Sequence, residues 1–252
     1  NAGIERVTFR DGEVLGNGGA LYVSGVTNIS LGSCRVLDSL AANSSHAYGG
    51  GLYAADSIGR IEGCEFSGNQ AKRDGDINGA NGGGVCLIGG QWAISNTVIA
   101  CNQLYTKWGG LARGAGGHLS DCRADLRNLL VVYNGLATDQ TPVGEGLYIS
   151  GGTVTVENAT IHGHGAQGIF NTNTVNTTIR NSILCNNQPD IDGILPTLVN
   201  NLIDDGTSDG VSGNFRSEPY GLFEWPMLYL PTNSPAVGAG DRTAAEGGVA
   251  GR

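Results

Sequence analysis

The sequence predicts an all-β solenoid, a parallel β-helix, and three observations carry that prediction. A short motif opened by an aliphatic residue recurs at Ile4 (IERVTF), Leu31 (LGSCRV), Ile61 (IEGCEF), Ile94 (ISNTVI), Leu126 (LRNLLV), Val156 (VENATI) and Ile179 (IRNSIL), at intervals of 23 to 33 residues. A glycine-led motif recurs between these starts: GGALYV at 18–23, GGGLYA at 49–54, GGGVCL at 82–87, GGHLSD at 116–121, GEGLYI at 144–149 and QGIFNT at 167–172. Within each motif, apolar residues lie two apart, as in Leu21 and Val23 or Leu147 and Ile149, which is strand alternation. A period of this length means a solenoid, a propeller or an array. No window carries the 3.6-residue apolar stripe of a helix, so helical repeats are excluded. A propeller blade needs about 40 or more residues and four strands. What remains is a coil of two or three short strands per turn, stacked at about 4.8 Å, with about seven to eight coils in the chain.

Stacking in register places like residues in columns. Asn96, Asn128, Asn158 and Asn181 form one, and Asn69, Asn102, Asn134 and Asn187 another, where each amide bonds to backbone and to the amides above and below. An apolar column of Leu21, Leu52, Val85, Leu119, Leu147 and Ile169 fills the interior. Beside it, Tyr22, Tyr53, Cys86, Ser120, Tyr148 and Phe170 point the opposite way.

Composition fits one elongated domain, with the β-helix over 1–215 and a capping or docking segment over 216–252. Glycine supplies 43 of 252 residues without a collagen period, which suits turns needing positive φ. The net charge is −9 with no Lys/Arg cluster, which argues against nucleic acid and anionic membrane as partners. No run of 18 apolar residues exists, so membrane insertion by a helix is not expected. The segment after 216 holds four of the seven prolines with Tyr220, Phe223, Trp225 and Tyr229, the texture of a cap.

Several residues invite chemistry. Six cysteines show no zinc spacing, but Cys34 and Cys64 share a repeat position. Stacking at about 4.8 Å puts them inside the Cα window for a disulfide; paired or free, the spacing allows both. Asp74, Asp76 and Asn78 followed by Gly79 resemble the first half of a calcium loop. The bidentate glutamate is missing, so a solvated turn is the plainer reading and no cofactor is expected. Tyr105, Lys107, Trp108 and Arg113 share one connection, where an aromatic with two cations could grip a sugar or an acidic glycan, or Trp108 could simply cap the side of the helix; the capping reading is the plainer. His164 falls on the second Asn column, which makes it a turn residue. Four Asn-x-Ser/Thr sites, at Asn28, Asn43, Asn158 and Asn176, permit glycosylation.

The glycine motifs, together with FSGN at 66–69, IACN at 99–102 and VVYN at 131–134, resemble the paired repeats of polymorphic outer-membrane protein passengers. The tail LYLPTNSPAVGAGD at 228–241, preceded by Pro219 to Phe223, is similar to the closing segment of choice-of-anchor β-helix proteins, with Gly238 where that pattern has aspartate. The resemblance spans about residues 4–241 and implies a right-handed parallel β-helix that is extracellular or on a bacterial cell surface. It implies no particular activity.

Three functions fit these readings. A structural or adhesive protein is favoured: the first anchor, Ile4, already sits in a coil, and open strand edges at the coil ends invite head-to-tail self-association into filaments. A carbohydrate-binding module is the second, with Tyr22, Tyr53, Tyr148 and Trp108 as platform for a polysaccharide. A polysaccharide lyase or glycoside hydrolase is the third, but Glu5, Glu62 and Glu157, which share a repeat position, are interrupted by Gly32, Ser95, Arg127 and Arg180. No catalytic set stands out.

Overall fold

The structure is a computed structural model that describes residues 2–43, 45–74, 79–107, 110–137, 142–173 and 176–217. It is a parallel β-helix. Every regular element among the described residues is a strand, and every strand pair is parallel and joins one coil to the next, as in Ile61↔Ile94↔Leu126↔Val156. Two sheets hold eight strands each and a third holds seven. The coil 58–88 shows the path: sheet I (Ile58–Glu62), sheet II (Glu65–Ser67), an excursion, then sheet III (Val85–Ile88).

The excursion is the main departure from expectation. The connections 40–50, 70–82 and 103–118 read as loops, yet they form two further stacked sheets. Sheet IV contains Gln70–Arg73 and its five-stranded stack, and sheet V contains Ala80–Asn81 and its four-stranded stack. Together they make a side lobe with its own core of Ala47, Ala71, Ala80, Leu104, Ala112 and Ala115. Small side chains let two short sheets approach closely, which is why the run lacked the bulky alternation of a recognisable strand.

The main core is the set of inward columns. Leu31, Ile61, Ile94, Leu126, Val156 and Ile179 come from sheet I, and Val36, Phe66, Ile99, Val131, Ile161 and Leu184 from sheet II; all are buried. Corners between sheets are set by columns of left-handed residues. Gly63, Asn96, Asn128, Asn158 and Asn181 have φ of 52–62°, the region where glycine and asparagine cost least. This is the first Asn column, and Asn128 Nδ2 donates to Asn96 Oδ1 at 3.1 Å. The second column faces inward and runs Asn69, Asn102, Asn134, His164 and Asn187, all buried. The turn role expected of His164 is the one it plays.

One register is corrected. Leu119 does not stack on Leu52 and Val85; Gly117 does, and Leu119 pairs with Leu87 and Ile149. His118, not Ser120, therefore stands between Cys86 and Tyr148. The turn glycine of this coil is Gly114 (φ 65°), equivalent to Gly82 (φ 65°), so the motif begins two residues earlier than the Gly116-Gly117 pair suggests. Gly117 leaves a void of about 10 Å³ among Val85, Leu87 and Leu147. The tail beyond Ser217, where a cap was expected, lies outside the described residues.

A candidate carbohydrate-binding corner

Sheet V runs into sheet III through a left-handed glycine, Gly49 in one coil and Gly82 in the next (φ 65° in both). That reversal folds the outward face of the lobe onto the outward face of the helix and makes an inside corner along the solenoid axis. Sheet III contributes Tyr22, Tyr53, Cys86, His118, Tyr148 and Phe170. Sheet V contributes Tyr48, Asn81 and Arg113.

The first part of the corner is an open aromatic row. Tyr22 and Tyr53 lie 5.3 Å apart by ring centroid, Tyr53 and Tyr48 5.9 Å, and Tyr48 and His46 5.6 Å. Tyr22 is 61% exposed, whereas Tyr48 and Tyr53 are half-buried. Burial raises the pKa of both Tyr48 and Tyr53, so these two keep their hydroxyl protons at neutral pH. Tyr48 and His46 were not singled out by the sequence; the cue was their place before the glycine motif, which only the sheet V pairing gives meaning.

The second part is closed. Tyr148 is packed between His118 (5.0 Å) and Phe170 (5.8 Å, rings 6° apart), and the Arg113 guanidinium carbon lies 5.5 Å from its ring centroid. Both faces of Tyr148 are thus covered, so it supports the corner rather than offering a free platform. His118 bonds to the Arg113 backbone, and burial lowers its pKa to about 4. Its Nδ1 has no hydrogen-bond partner. The Cys86 thiol beside it is driven far up by burial and carries no thiolate.

The other expected sites fall elsewhere. Trp108, Asp76 and Asn78 lie outside the described residues; Asp74 is exposed and pairs with Lys72 at 3.4 Å. Lys72 also stands over Tyr105 at 5.3 Å, on the outer side of sheet IV. Cys34 and Cys64 stack as expected, and both are free thiols. Cys34 N–H donates to Cys64 Sγ at 3.4 Å, and the thiols donate to backbone carbonyls, Cys34 to Ile4 and Gly32 and Cys64 to Leu31 and Glu62. They begin a corner column that continues with Thr97, whose hydroxyl accepts from Cys64 N–H, and ends in Ser182, Asn201 and Asn214.

Two clusters resemble catalytic groups. Cys185 Sγ lies 3.4 Å from His162 Nδ1, but both are buried, and burial raises the thiol and lowers the imidazole. The pair stays neutral and acts as packing. Asp190 is fully buried, and burial followed by its hydrogen bond with Asp204 raises its pKa to about 7. Its oxygens accept from Asn187 Nδ2 (2.7 Å) and from the backbone N–H groups of Asp204 (3.0 Å) and Asp205 (3.3 Å), so it fastens the last coil.

On the outer face of sheet I, the register Glu62↔Ser95↔Arg127↔Glu157 puts the two carboxylates three coil steps apart, about 14 Å. That exceeds the ~5–10 Å used by paired glycosidase carboxylates. Glu157 is instead clamped by Arg180 (3.1 Å) and Arg127 (3.6 Å). A shallow groove of about 190 Å³ crosses this face between Ile58, Gln91, Arg123 and Asp125, with Gly59 and Ala93 as floor. Among the described residues no three His, Cys, Asp or Glu side chains form a metal-binding group.

No family model, curated protein or solved structure matches this chain, so the passenger and choice-of-anchor resemblances rest on their motif residues alone, and what stands is the parallel β-helix they have in common.

Proposed function

We propose that this protein is an adhesive β-helix of the cell exterior that binds carbohydrate along the inside corner between lobe and helix. The observation that carries the reading is the continuous row Tyr22, Tyr53, Tyr48, held at 5.3 and 5.9 Å with its outer member 61% exposed. Such a row offers a free ring face at Tyr22 and ring edges with hydroxyl groups at Tyr53 and Tyr48, whose faces stack on their neighbours, so a sugar meets apolar surface and hydroxyl donors together. The coil repeat of about 4.8 Å is close to the length of one pyranose unit, so adjacent units of a polymer laid along the axis meet Tyr22 and Tyr53 on successive coils. The core does not need the row: the stack is held by the inward columns, and Tyr22 stands largely in solvent.

The test is electrophoresis of the purified chain through gels that contain individual polysaccharides. At least one should retard the protein, and Tyr22→Ala with Tyr53→Ala should abolish the retardation while leaving the melting temperature within a few degrees. Undiminished retardation of the double variant would overturn the reading.

A further inference from the structure

Sheet I takes no part in the tyrosine corner, which is built from sheets III and V. Its eight strands hold four arginines, three glutamates and one aspartate, so this sheet is electrically neutral on a chain of net charge −9. Strand alternation puts all of these charges on its outer face. One outward column runs Arg60↔Ala93↔Asp125, and the next runs Glu5↔Gly32↔Glu62↔Ser95↔Arg127↔Glu157↔Arg180. Arg60 and Glu62 share one coil. Two coils on, Asp125 and Arg127 take the same places along the strand with the signs exchanged. These four mark a rectangle of about 7 by 10 Å. Between them, Ala93 and Ser95 are short and uncharged.

We propose that this face pairs with the same face of a second copy of the chain, about a two-fold axis lying along the strand of Ala93 and Ser95. Rotation about that axis keeps each column opposite itself and reverses the order of the coils. Arg60 then faces Asp125 of the second copy and Glu62 faces Arg127, each contact occurring twice. Glu5 and Arg180, three coils either side of Ser95, face each other as well. Glu157 meets only Gly32, and it is the one carboxylate of this sheet that is buried, already clamped by Arg127 and Arg180. An arginine opposite a carboxylate spans roughly the 10 Å at which two sheets pack face to face. Within one copy Arg60 pairs with Glu62 in solvent, and such an exposed pair holds too little energy to oppose re-pairing. The neutral face also escapes the repulsion that the net charge sets up between copies. It measures roughly 550 Å² per copy, at the lower end of specific interfaces, so the dimer is reversible. The pairing does not depend on the carbohydrate reading, and it leaves the tyrosine row of each copy open.

The test is sedimentation velocity of the full chain over a concentration series, at low and raised salt. Mass should rise from one copy of 25.9 kDa towards two and no further, and raised salt should weaken the dimer several-fold. Arg60→Asp sets like charges against each other at two places and should weaken dimerisation about a hundredfold. Asp125→Arg should do the same, although it lowers the net negative charge of the chain. The double variant, Arg60→Asp with Asp125→Arg, makes the facing charges opposite again and should restore the dimer. Arg60 is exposed and Asp125 half-buried on the outer face, so each variant should melt within a few degrees of the parent. A constant monomer mass would overturn the proposal and leave the face to another partner. A dimer that either single reversal leaves intact would overturn it too. So would failure of the double variant to restore the dimer, because a two-fold axis parallel to the solenoid would set the exchanged charges against Glu62 and Arg127 instead.

Discussion

Asn102 shows how one side chain joins three coils. Its Oδ1 accepts from the backbone and side-chain N–H groups of Asn69 (both 3.0 Å), and its Nδ2 donates to Phe66 O (2.9 Å) and to Asn134 Oδ1 (3.0 Å). Leucine there would fill the space and leave those buried partners unmet, at about 1–3 kcal/mol each. Asn102→Leu should therefore lower stability by about 3 kcal/mol or more in urea unfolding. His164 occupies the next-but-one rung: its Nε2 accepts from Asn134 Nδ2 (3.3 Å) and its Nδ1 donates to Asn187 Oδ1 (2.7 Å). Burial lowers its pKa to about 4; protonation would also face an N–H to an N–H. The folded value lies below the unfolded 6.5, so this contribution to stability is full above pH 6.5 and is lost as pH falls towards 4. His164→Asn should flatten the stability curve between pH 6.5 and 4, and an unchanged acid slope would show that other groups set it. The Asn columns were legible because an amide at a corner is a sequence-local choice. The pairing of Tyr48 with Tyr53 was not, because it depends on a strand that the sequence did not reveal.

At the scale of elements, the three main sheets follow from strand alternation, and the lobe sheets do not. Ala71, Ala80 and Ala112 have too little side chain to mark a face, yet that smallness is what lets sheets IV and V pack together. The register slip at Gly117 has a similar cause, since an inward position without a side chain removes the apolar marker and the neighbouring Gly116 imitates the motif. Where side chains are large, the reading held. Leu52 is wholly buried between Leu21 and Val85. An aspartate there would bury a charge with no cation beside it. Leu52→Asp should cost over ~4 kcal/mol and spread to neighbouring coils, since each repeat is stabilised through its neighbours. A melting curve like that of the parent chain would mean the inside and outside of sheet III were reversed.

For the whole molecule, the lobe shapes the surface on which binding is proposed. A plain three-sheet coil has convex corners, and among the described residues the extra pair of sheets brings Tyr48 against Tyr53 and Arg113 against Tyr148. Tyr22 and Tyr53 were legible as a candidate platform, while Tyr148 proved to be a covered support and Arg113, legible as a cation beside Trp108, met the Tyr148 ring only through the stacking of sheets. The most direct measurement is aromatic proton–carbon NMR of tyrosine-labelled protein during titration with the oligosaccharide that retards it most, with signals assigned by single substitution. The account predicts that Tyr22, Tyr48 and Tyr53 shift together at the lowest ligand ratios. Unmoved tyrosines, with shifts confined to backbone signals of Gln91, Arg123 and Asp125 on sheet I, would contradict it.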